Sequence, residues 1–317
     1  MTLPMGRAMR EVFGETVTAL ADTDPRVVML DGDLGTSTRA EIFERAHPER
    51  FLQMGIAEQN MLGVAAGMAA SGFMPFISTF VAFAVVRPLD QIRVLIAQPK
   101  LNVKIIGSYA GLFVGAAGKT HQIVDDISIM RAMPNMVTIS PADDVETGQA
   151  IRWAAAYDGP VYIRLVRDVT QRLFDDAYAF DVAKSVVVRE GTDVTLISTG
   201  AETPRVVDAA EILAQTGTSC HVLHVPTLKP LDVAGIVAAA NKTGLVVTVE
   251  EHSIIGGLGG AVAETLGEHS PTAMKRLGLQ DTFGESASNA ELLDRFGLSS
   301  NRVAEQVTAF LAQRARR

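Results

Sequence analysis

The sequence is poor in cysteine and in the larger aromatic residues. Its 317 residues include one cysteine, Cys220, one tryptophan and four tyrosines. A single cysteine excludes an intrachain disulfide, and proteins of the reducing cytoplasm typically lack such bonds. We therefore expect a cytoplasmic protein. Because the neighbours of Cys220 are apolar, its thiol is expected to be buried and unreactive.

The sequence also lacks an excess of basic residues. It has 28 lysines and arginines against 36 acidic residues, which gives a net charge of −8 and a pI near 5.3. This balance argues against nucleic acid as a partner, because nucleic-acid-binding domains carry a basic surface. Residues 1–14 contain no apolar core, so we expect no signal peptide. Hydrophobic residues make up 48% of the chain, enough for two domains with cores of their own.

One stretch lacks charge altogether. Residues 61–86 are 26 uncharged residues, and they include Gly63 and Gly67 at the spacing of a membrane-helix contact. Gly72 and Pro75 divide this run into pieces too short to span a bilayer. A buried helix followed by a buried parallel strand explains the run better, so we expect no membrane association.

The chain alternates between short apolar runs and helix-length segments, which predicts an α/β protein with parallel sheets covered on both faces. The first domain is expected at residues 1–173 and a linker at 174–184, where the sequence is acidic, aromatic and without periodicity. The expected helices of this domain include residues 7–21 and 58–70. Its expected strands are residues 27–30, 51–54, 76–80, 103–107, 137–140 and 161–165.

A second, smaller α/β domain is predicted for residues 185–317. Its expected strands are residues 185–188, 194–198, 220–225 and 245–250, and its expected helices are residues 204–215 and 233–240. The glycine-rich run 256–260 lacks the spacing of a nucleotide-binding loop, so we interpret it as a structural turn. His221 and His224 stand three apart in a predicted strand and face opposite sides, which excludes them as a pair of metal ligands.

Glu58 opens the helix expected at residues 58–70 and is the only charged residue of an apolar neighbourhood. A carboxylate in such a place must be paired, hydrogen-bonded or protonated, as is typical of a working acid. A glutamate in the first turn of a helix that interacts with the helix dipole is an equally good interpretation. In the same helix Gly63 and Gly67 each cost about 1 kcal/mol of helix propensity. Close approach of another helix, for instance across a subunit interface, would offset that cost.

Four blocks in a fixed order extend this pattern. They are GIAEQNM at residues 55–61, GFMPFISTF at 72–80, GKTHQ at 118–122 and RAMPNM at 131–136. In this order they resemble the thiamine-diphosphate enzymes of the transketolase family. The resemblance implies a pyrimidine-binding domain followed by the smaller transketolase C-terminal domain. It also implies transfer of a two-carbon ketol unit from a ketose to an aldose.

The motif with which that family holds diphosphate and magnesium is missing. The nearest match, Asp31–Gly32–Asp33 with Asn60, has Leu34 in place of a glycine, and Asn60 already belongs to the glutamate motif. We interpret it as a chance match and predict no metal ligands in this chain. The resemblance then implies the C-terminal subunit of a split transketolase. A partner N-terminal subunit would hold the diphosphate and Mg²⁺, in an assembly of two copies of each chain.

The resemblance assigns roles to residues near the cofactor. Glu58 matches the glutamate that shares a proton with the aminopyrimidine ring, and Ile56 lies in the same motif. Phe80 and Phe83 match aromatic residues that pack on that ring, with plain core packing as the alternative. Where a third aromatic is usual, this chain has Val86.

His121 matches the family's catalytic histidine. A histidine can move a proton near neutral pH, although a lone histidine in a polar loop is usually just solvated. Asp125 and Asp126 lie near it in sequence, but no second histidine stands at metal-ligand spacing.

The substrate would be held by other residues. Arg167, Arg7 and Ser37 align with phosphate-binding positions of the family, and an exposed arginine at a strand end is the alternative for Arg167. Tyr109 stands where transketolases often have histidine, and Ala117 where they often have aspartate. These two departures predict an atypical pair of sugars, one of them with an acidic group.

Three other functions remain open. The β subunit of a 2-oxo-acid dehydrogenase shares GIAEQ but usually lacks the T-H-Q and R-x-x-P-N-M blocks. A deoxyxylulose-phosphate-synthase-like enzyme is close but is normally a single chain. A noncatalytic assembly subunit would keep the fold, and the presence of both Glu58 and His121 argues against it.

Overall fold

The structure is a computed structural model, and it describes residues 3–315. Within this range the chain forms three β-sheets. The strands are β1 Met5–Ala8, β2 Val27–Asp31, β3 Phe51–Gln53, β4 Met74–Phe80, β5 Lys104–Ser108, β6 Val137–Ile139, β7 Val161–Arg164, β8 Val169–Gln171, β9 Val186–Arg189, β10 Val194–Ser198, β11 Cys220–His224, β12 Thr227–Lys229, β13 Leu245–Ser253 and β14 Ala273–Leu279.

Helices connect most of these strands. The α-helices of the described range are α1 Met9–Thr23, α2 Gly35–Thr38, α3 Glu41–Ala46, α4 Glu58–Ala70, α5 Val81–Ala84, α6 Leu89–Gln91, α7 Asp126–Ala132, α8 Asp144–Ala156, α9 Thr203–Gln215, α10 Val233–Thr243, α11 Leu258–His269, α12 Asn289–Arg295 and α13 Ser300–Ala315. A π-helix, Ile92–Ala97, continues α6, and short 3₁₀ turns lie at Pro48–Arg50, Gly115–Ala117 and Gly200–Glu202.

The largest sheet has seven strands in the order β12-β6-β7-β5-β4-β2-β3, in which only β12 is antiparallel to its neighbour. Because this sheet is covered on both faces, its central strands are mostly apolar. All five residues of β2 are buried. Met29 packs with Phe13 of α1, whereas Val28 and Leu30 point the other way and pack with Met61 of α4.

The second sheet has five strands in the order β14-β13-β10-β11-β9, with β9 antiparallel to β11. The third is a two-stranded antiparallel ribbon of β1 and β8, which joins the two ends of the first half of the chain. This layered arrangement confirms the predicted α/β class, with parallel sheets in both halves. No helix within residues 3–315 combines the length and apolar character needed to cross a bilayer.

Predicted and observed elements agree best where a strand is central in its sheet. The strand 194–198 and the helix 58–70 have the predicted bounds. The buried apolar face of α4 consists of Met61, Leu62, Ala65 and Ala66, while Val64 and Met68 are only half-buried. The helix predicted at residues 7–21 begins two residues later, because residues 5–8 pair with β8.

The two halves of the chain share buried polar contacts. Residues 172–185 contain no helix or strand and run along α8, where the hydroxyl of Tyr178 donates to Glu146. The other oxygen of Glu146 lies 2.8 Å from Nε2 of His224, and Nδ1 of that histidine lies 2.8 Å from the hydroxyl of Thr203. Strand β12 belongs to the second half in sequence but pairs with β6 of the first sheet. The two predicted domains are therefore tightly joined.

Candidate active site

The candidate site begins at Glu58, the first residue of α4. Gly55 has φ +69°, a left-handed conformation that favours glycine, and it turns the chain between β3 and the helix. The side chain of Glu58 is only 4% exposed, and its Oε1 accepts a 2.7 Å hydrogen bond from Arg87. Glu58 therefore opens a helix and is also a buried, paired carboxylate.

Arg87 links this carboxylate to the aromatic residues. Its guanidinium lies over the ring of Phe83, 4.1 Å from the ring centroid, while it donates to Glu58. The side chain of Arg87 is 45% exposed, so this planar N–H donor can be displaced from its place. The Glu58 carboxylate and the face of the Phe83 ring therefore both contact the planar guanidinium of Arg87.

The aromatic residues meet at the carboxyl edge of the large sheet. Phe80 ends β4 and Tyr109 follows β5, and their rings stack with centroids 3.9 Å apart. Phe83 stacks on Phe80 at 5.9 Å, and His121 meets both phenylalanines edge-on at 5.5 and 6.2 Å. Tyr109 has φ +65°, an unusual conformation for a residue with a side chain and one that clusters at functional sites.

His121 lies on a loop that the second half of the chain holds in place. Its Nδ1 lies 2.9 Å from the hydroxyl of Thr120, which orients the ring, and the side chain is half-buried. The backbone N–H of Leu112, near the start of this loop, donates to the buried carboxylate of Glu251. Arg164 is buried against the same carboxylate, with 4.0 Å between the closest charged atoms.

Two arginine side chains lie on the other side of Tyr109. Arg10 donates to the backbone oxygen of Ser37 at 2.8 Å and to the Tyr109 hydroxyl at 3.0 Å. The guanidinium of Arg167 lies 5.6 Å from the centroid of the same ring. Ser37, Phe80, Tyr109, Ala117 and Arg167 line one cleft of about 640 Å³.

The structure does not bring Arg7 to this cleft. Arg7 pairs with Glu15 at 2.6 Å and lines a different cavity, beside Asp144 and Arg152. Arg10, which the sequence reasoning missed, takes the place beside Ser37. The signal was present, since Arg10 stands one helical turn beyond Arg7.

Two further predicted positions lie at the surface. Ile56 is 75% exposed and lines a cavity of about 500 Å³ with Glu58 and Arg87. Val86 is 52% exposed, and no third aromatic side chain stands at this position. Arg87 directly follows the charge-free run 61–86, and its spacing from Glu58 gives no hint that the two side chains meet.

Asp31 and Asn60, which the sequence analysis interprets as a chance match to the diphosphate motif, lie in ordinary structural surroundings. Asp31 Oδ2 accepts hydrogen bonds from the backbone of Leu34 and Gly35, both at 3.0 Å, and so orders the start of α2. Burial raises the pKa of this carboxyl. Asn60 is exposed on α4. Among the residues that the structure describes, no cluster of three histidines, cysteines or acids is placed to hold a metal ion.

Comparison with known proteins gives a consistent family. The family model described as transketolase, pyrimidine binding domain, matches residues 5–171, and the model described as transketolase, C-terminal domain, matches residues 183–303. Together they account for both halves of the fold.

Relatives match over nearly the whole chain. A putative transketolase C-terminal section from Methanocaldococcus jannaschii is 43% identical over 95% of this chain and 95% of its own length. A 6-deoxy-6-sulfo-D-fructose transketolase subunit from a Clostridium species is 41% identical over 95% of this chain and 94% of its own. A solved split-gene transketolase, described as an inactive beta4 tetramer, superposes with a TM-score of 0.88 at 42% identity, covering 97% of this chain and 99% of that one.

Proposed function

The chain belongs to the transketolase family, and from that premise we propose that it is the C-terminal subunit of a two-chain enzyme, active only with a partner subunit. The reaction moves a two-carbon ketol unit from a ketose to an aldose. The observation that carries the proposal is the convergence of Glu58, Phe83 and Arg87, with His121 beside the same ring. Nothing in a plain structural role requires an acid, a histidine and stacked aromatic rings at one sheet edge.

The residues present fit the aminopyrimidine part of thiamine diphosphate. The guanidinium of Arg87 is flat, carries N–H donors, and lies against both the Glu58 carboxylate and the Phe83 ring. An aminopyrimidine has the same features, with a flat ring that stacks and an amidine-like edge that hydrogen-bonds. In this proposal Glu58 and Phe83 would hold the cofactor ring once Arg87 moves aside, and Phe80 and Ile56 would provide further apolar contacts.

When bound, thiamine diphosphate supplies the nucleophilic carbon and the electron sink of the reaction. Glu58 would share a proton with the cofactor's ring nitrogen, and its burial keeps water away from that hydrogen bond. His121 would donate a hydrogen bond to a substrate oxygen that gains negative charge. Stacking against Phe80 and Phe83 would fix the plane of the cofactor ring.

The partner subunit would supply the diphosphate and Mg²⁺ site. Support comes from apolar side chains that are exposed at both ends of α4 and along residues 86–95, a segment that contains α6 and part of the π-helix that packs against α4. They are Ile56, Phe73, Val86, Leu89, Val94 and Leu95. In addition, a Cβ atom built on Gly63 or Gly67 would meet nothing within 4 Å, so nothing within residues 3–315 packs closely on α4 at these two glycines. We assign this surface to the N-terminal transketolase subunit and a second copy of this chain, in a heterotetramer.

The substrates would be sugars, one of them with an acidic group. Arg167 lines the cleft, and Arg10 lies behind two of its lining residues, where it donates to the backbone oxygen of Ser37 and to the Tyr109 hydroxyl. Guanidinium groups bind phosphate and sulfonate in the same forked geometry. The Clostridium relative is described as acting on a sulfonated sugar, which is compatible with such a site. Arg7 has no part in this proposal.

The cytoplasm is the proposed location. Cys220 is buried, and that burial raises the pKa of its thiol to about 11, so the sole cysteine is neither paired nor ionised at neutral pH. This is compatible with a reducing compartment.

The proposal is tested at Glu58. An amide cannot share the proton that the cofactor's ring nitrogen needs, so Glu58→Gln is expected to lower kcat of the reconstituted two-chain enzyme about 10²- to 10⁴-fold. The measurement is ketol transfer with the purified partner, with Glu44→Gln, the same change at an exposed residue of α3, as the control. Circular dichroism should show an unchanged fold. Near-normal kcat of the variant would reduce Glu58 to a helix-end residue and refute the proposal.

A further inference from the structure

A segment of the C-terminal domain, residues 284–289, lies against the loop that carries Ala117 and His121. The side chain of Gln122 donates to the backbone oxygen of Glu285 at 2.9 Å and so ties the two segments together. Gln122 and Glu285 are 163 residues apart in the sequence and belong to different domains. The C-terminal domain therefore contributes to the wall of the substrate cleft.

Two glycines of the loop make room for this segment. Gly115 has φ +39°, and a Cβ atom there would lie 2.7 Å from Oδ1 of Asn289. Gly118 has φ +74°, and a Cβ atom there would collide with the hydroxyl of Ser286. Side chains at either position would separate the domains, so the close approach depends on glycine.

Asn289 reaches from this segment to the end of the cleft where Arg167 lies. Its Nδ2 donates to Oδ2 of Asp168 at 2.6 Å, and Oδ1 of the same carboxylate accepts from Arg167 at 2.9 Å. Asn289 is itself fixed, because it is the first residue of α12 and follows Ser288, which forms a capping box with Glu291. Asn289, Asp168 and Arg167 all line the same cleft of about 640 Å³.

We propose that Asn289 is a positioning residue for Arg167, and that through Asp168 the C-terminal domain sets the affinity for the anionic end of a sugar substrate. Arg167 is 45% exposed and would otherwise sample many rotamers. Ordering such a side chain at the moment of binding costs conformational entropy, and a preformed partner removes part of that cost. The inference rests on the proposed function, in which Arg167 holds an acidic group.

The test compares Asn289→Leu with wild type in the reconstituted enzyme, because leucine keeps the volume and removes the donor. The acceptors are glyceraldehyde 3-phosphate and glyceraldehyde, which differ in the anionic group. We expect KM for the phosphorylated acceptor to rise about 3- to 10-fold with kcat unchanged, and kcat/KM for glyceraldehyde to stay the same. The control is Asn301→Leu, at an exposed asparagine of α13 in the same domain.

A second variant separates this inference from the proposed function. Arg167→Ala alone should raise KM for the phosphorylated acceptor at least as much, and Asn289→Leu should then have no additional effect. An unchanged KM in Arg167→Ala would refute anion binding by Arg167 and, with it, the role of Asn289. A raised KM in Arg167→Ala but not in Asn289→Leu would overturn the positioning role alone. The positioning role would also be overturned if Asn289→Leu lowered kcat/KM equally for both acceptors. The same holds if Asn289→Leu raised KM for the phosphorylated acceptor just as much in the Arg167→Ala background.

Discussion

The side chain at position 117 sets how much polar contact the cleft offers to an acceptor aldehyde. Ala117 is exposed and lines the cleft with Tyr109 and Arg167, and it offers no hydrogen bond. Where related enzymes carry aspartate, a carboxylate would hold the hydroxyl beside the aldehyde. A hydrogen bond to a charged group contributes about 1.5–3 kcal/mol. Discrimination at that hydroxyl should therefore be weak in this protein.

Ala117→Asp is expected to raise the preference for a 2-hydroxyaldehyde over the matching aldehyde without that hydroxyl by about 10- to 100-fold. The measurement is the ratio of kcat/KM for the two acceptors in the reconstituted enzyme. Ala116→Asp is a matched control, since it adds the same charge at a neighbouring exposed position of the same cleft. A wild-type enzyme that already discriminates strongly, or the same gain in both variants, would contradict this prediction.

Residue-level prediction was limited where two elements had to be placed against each other. Phe80 and His121 lie close together, since Phe80 ends β4 and His121 lies on the long loop between β5 and α7. Glu58 connects to them through Arg87 and Phe83. Arg7 was predicted from the family resemblance, which does not show where α1 begins. Residues 5–8 form a strand, so the helix begins at Met9 and Arg10 lies in its first turn.

At the scale of secondary-structure elements, a series of buried side-chain contacts joins α8 to β11 and α9. Glu146 and His224 are both fully buried and lie 2.8 Å apart, and His224 also lies 2.8 Å from Thr203. Removing one partner of such a pair leaves a buried polar group without a partner, which costs more than the pair itself contributes. This arrangement resembles a catalytic triad in connectivity but lacks access to solvent, so its role is to hold the domains together.

His224→Ala is therefore expected to lower the free energy of unfolding by about 2–4 kcal/mol. Thr203→Val, which removes only a hydroxyl, should cost about 1 kcal/mol. The measurement is the urea midpoint of the isolated chain, followed by fluorescence of its single tryptophan. His269→Ala serves as the control, because that histidine is 51% exposed on α11. A loss below 0.5 kcal/mol for His224→Ala, roughly that of a surface substitution, would disprove the role of this contact.

Elements that depend on long-range pairing escaped prediction from the sequence. β1 and β12 are short edge strands whose partners, β8 and β6, lie far away in the chain. The local sequence pattern gives no information about such pairing, and edge strands need no continuous apolar run. β14 carries the adjacent charged residues Lys275 and Arg276 and is buried only over its last three residues, as suits an edge strand. Central strands such as β2 and β10 were predictable because both of their faces are buried.

At the scale of the whole molecule, buried acids between the domains make stability depend on pH. Burial raises the pKa of Glu251 to about 7 and that of Glu202 to about 8, from an ordinary value of 4.5. Between pH 4.5 and these values the folded chain holds more protons than the unfolded chain. Stability is therefore lost as pH rises through this range, by about 1.4 kcal/mol per pH unit for each group.

Glu202→Gln should remove one of these two contributions. We expect the unfolding free energy of wild type to fall between pH 5 and pH 8 more steeply than that of the variant, with the two curves separating most by pH 8. Urea titrations at several pH values measure this, and Glu44→Gln, at an exposed site on α3, is the control. Parallel curves for wild type and Glu202→Gln would show that Glu202 does not titrate in this range.

A cofactor site divided between two chains, as we propose, would have a direct consequence for the isolated subunit. The residues that fit the aminopyrimidine ring are here, but no cluster of metal-binding side chains occurs within residues 3–315. Most of the binding energy for a diphosphate comes from its charge, held by a metal ion and its ligands. In the isolated chain, moreover, the ring would have to displace Arg87 from its 2.7 Å hydrogen bond with Glu58.

Calorimetry of the isolated chain with thiamine diphosphate and Mg²⁺ should therefore show no tight binding, with a Kd weaker than about 1 mM, equivalent to about −4 kcal/mol. Addition of the partner subunit should restore micromolar binding or better. Glu58→Gln in the reconstituted enzyme is a useful comparison, because loss of the carboxylate should weaken cofactor binding without preventing subunit assembly. Micromolar binding by this chain alone would mean that the diphosphate site lies on it, and the two-chain proposal would be wrong.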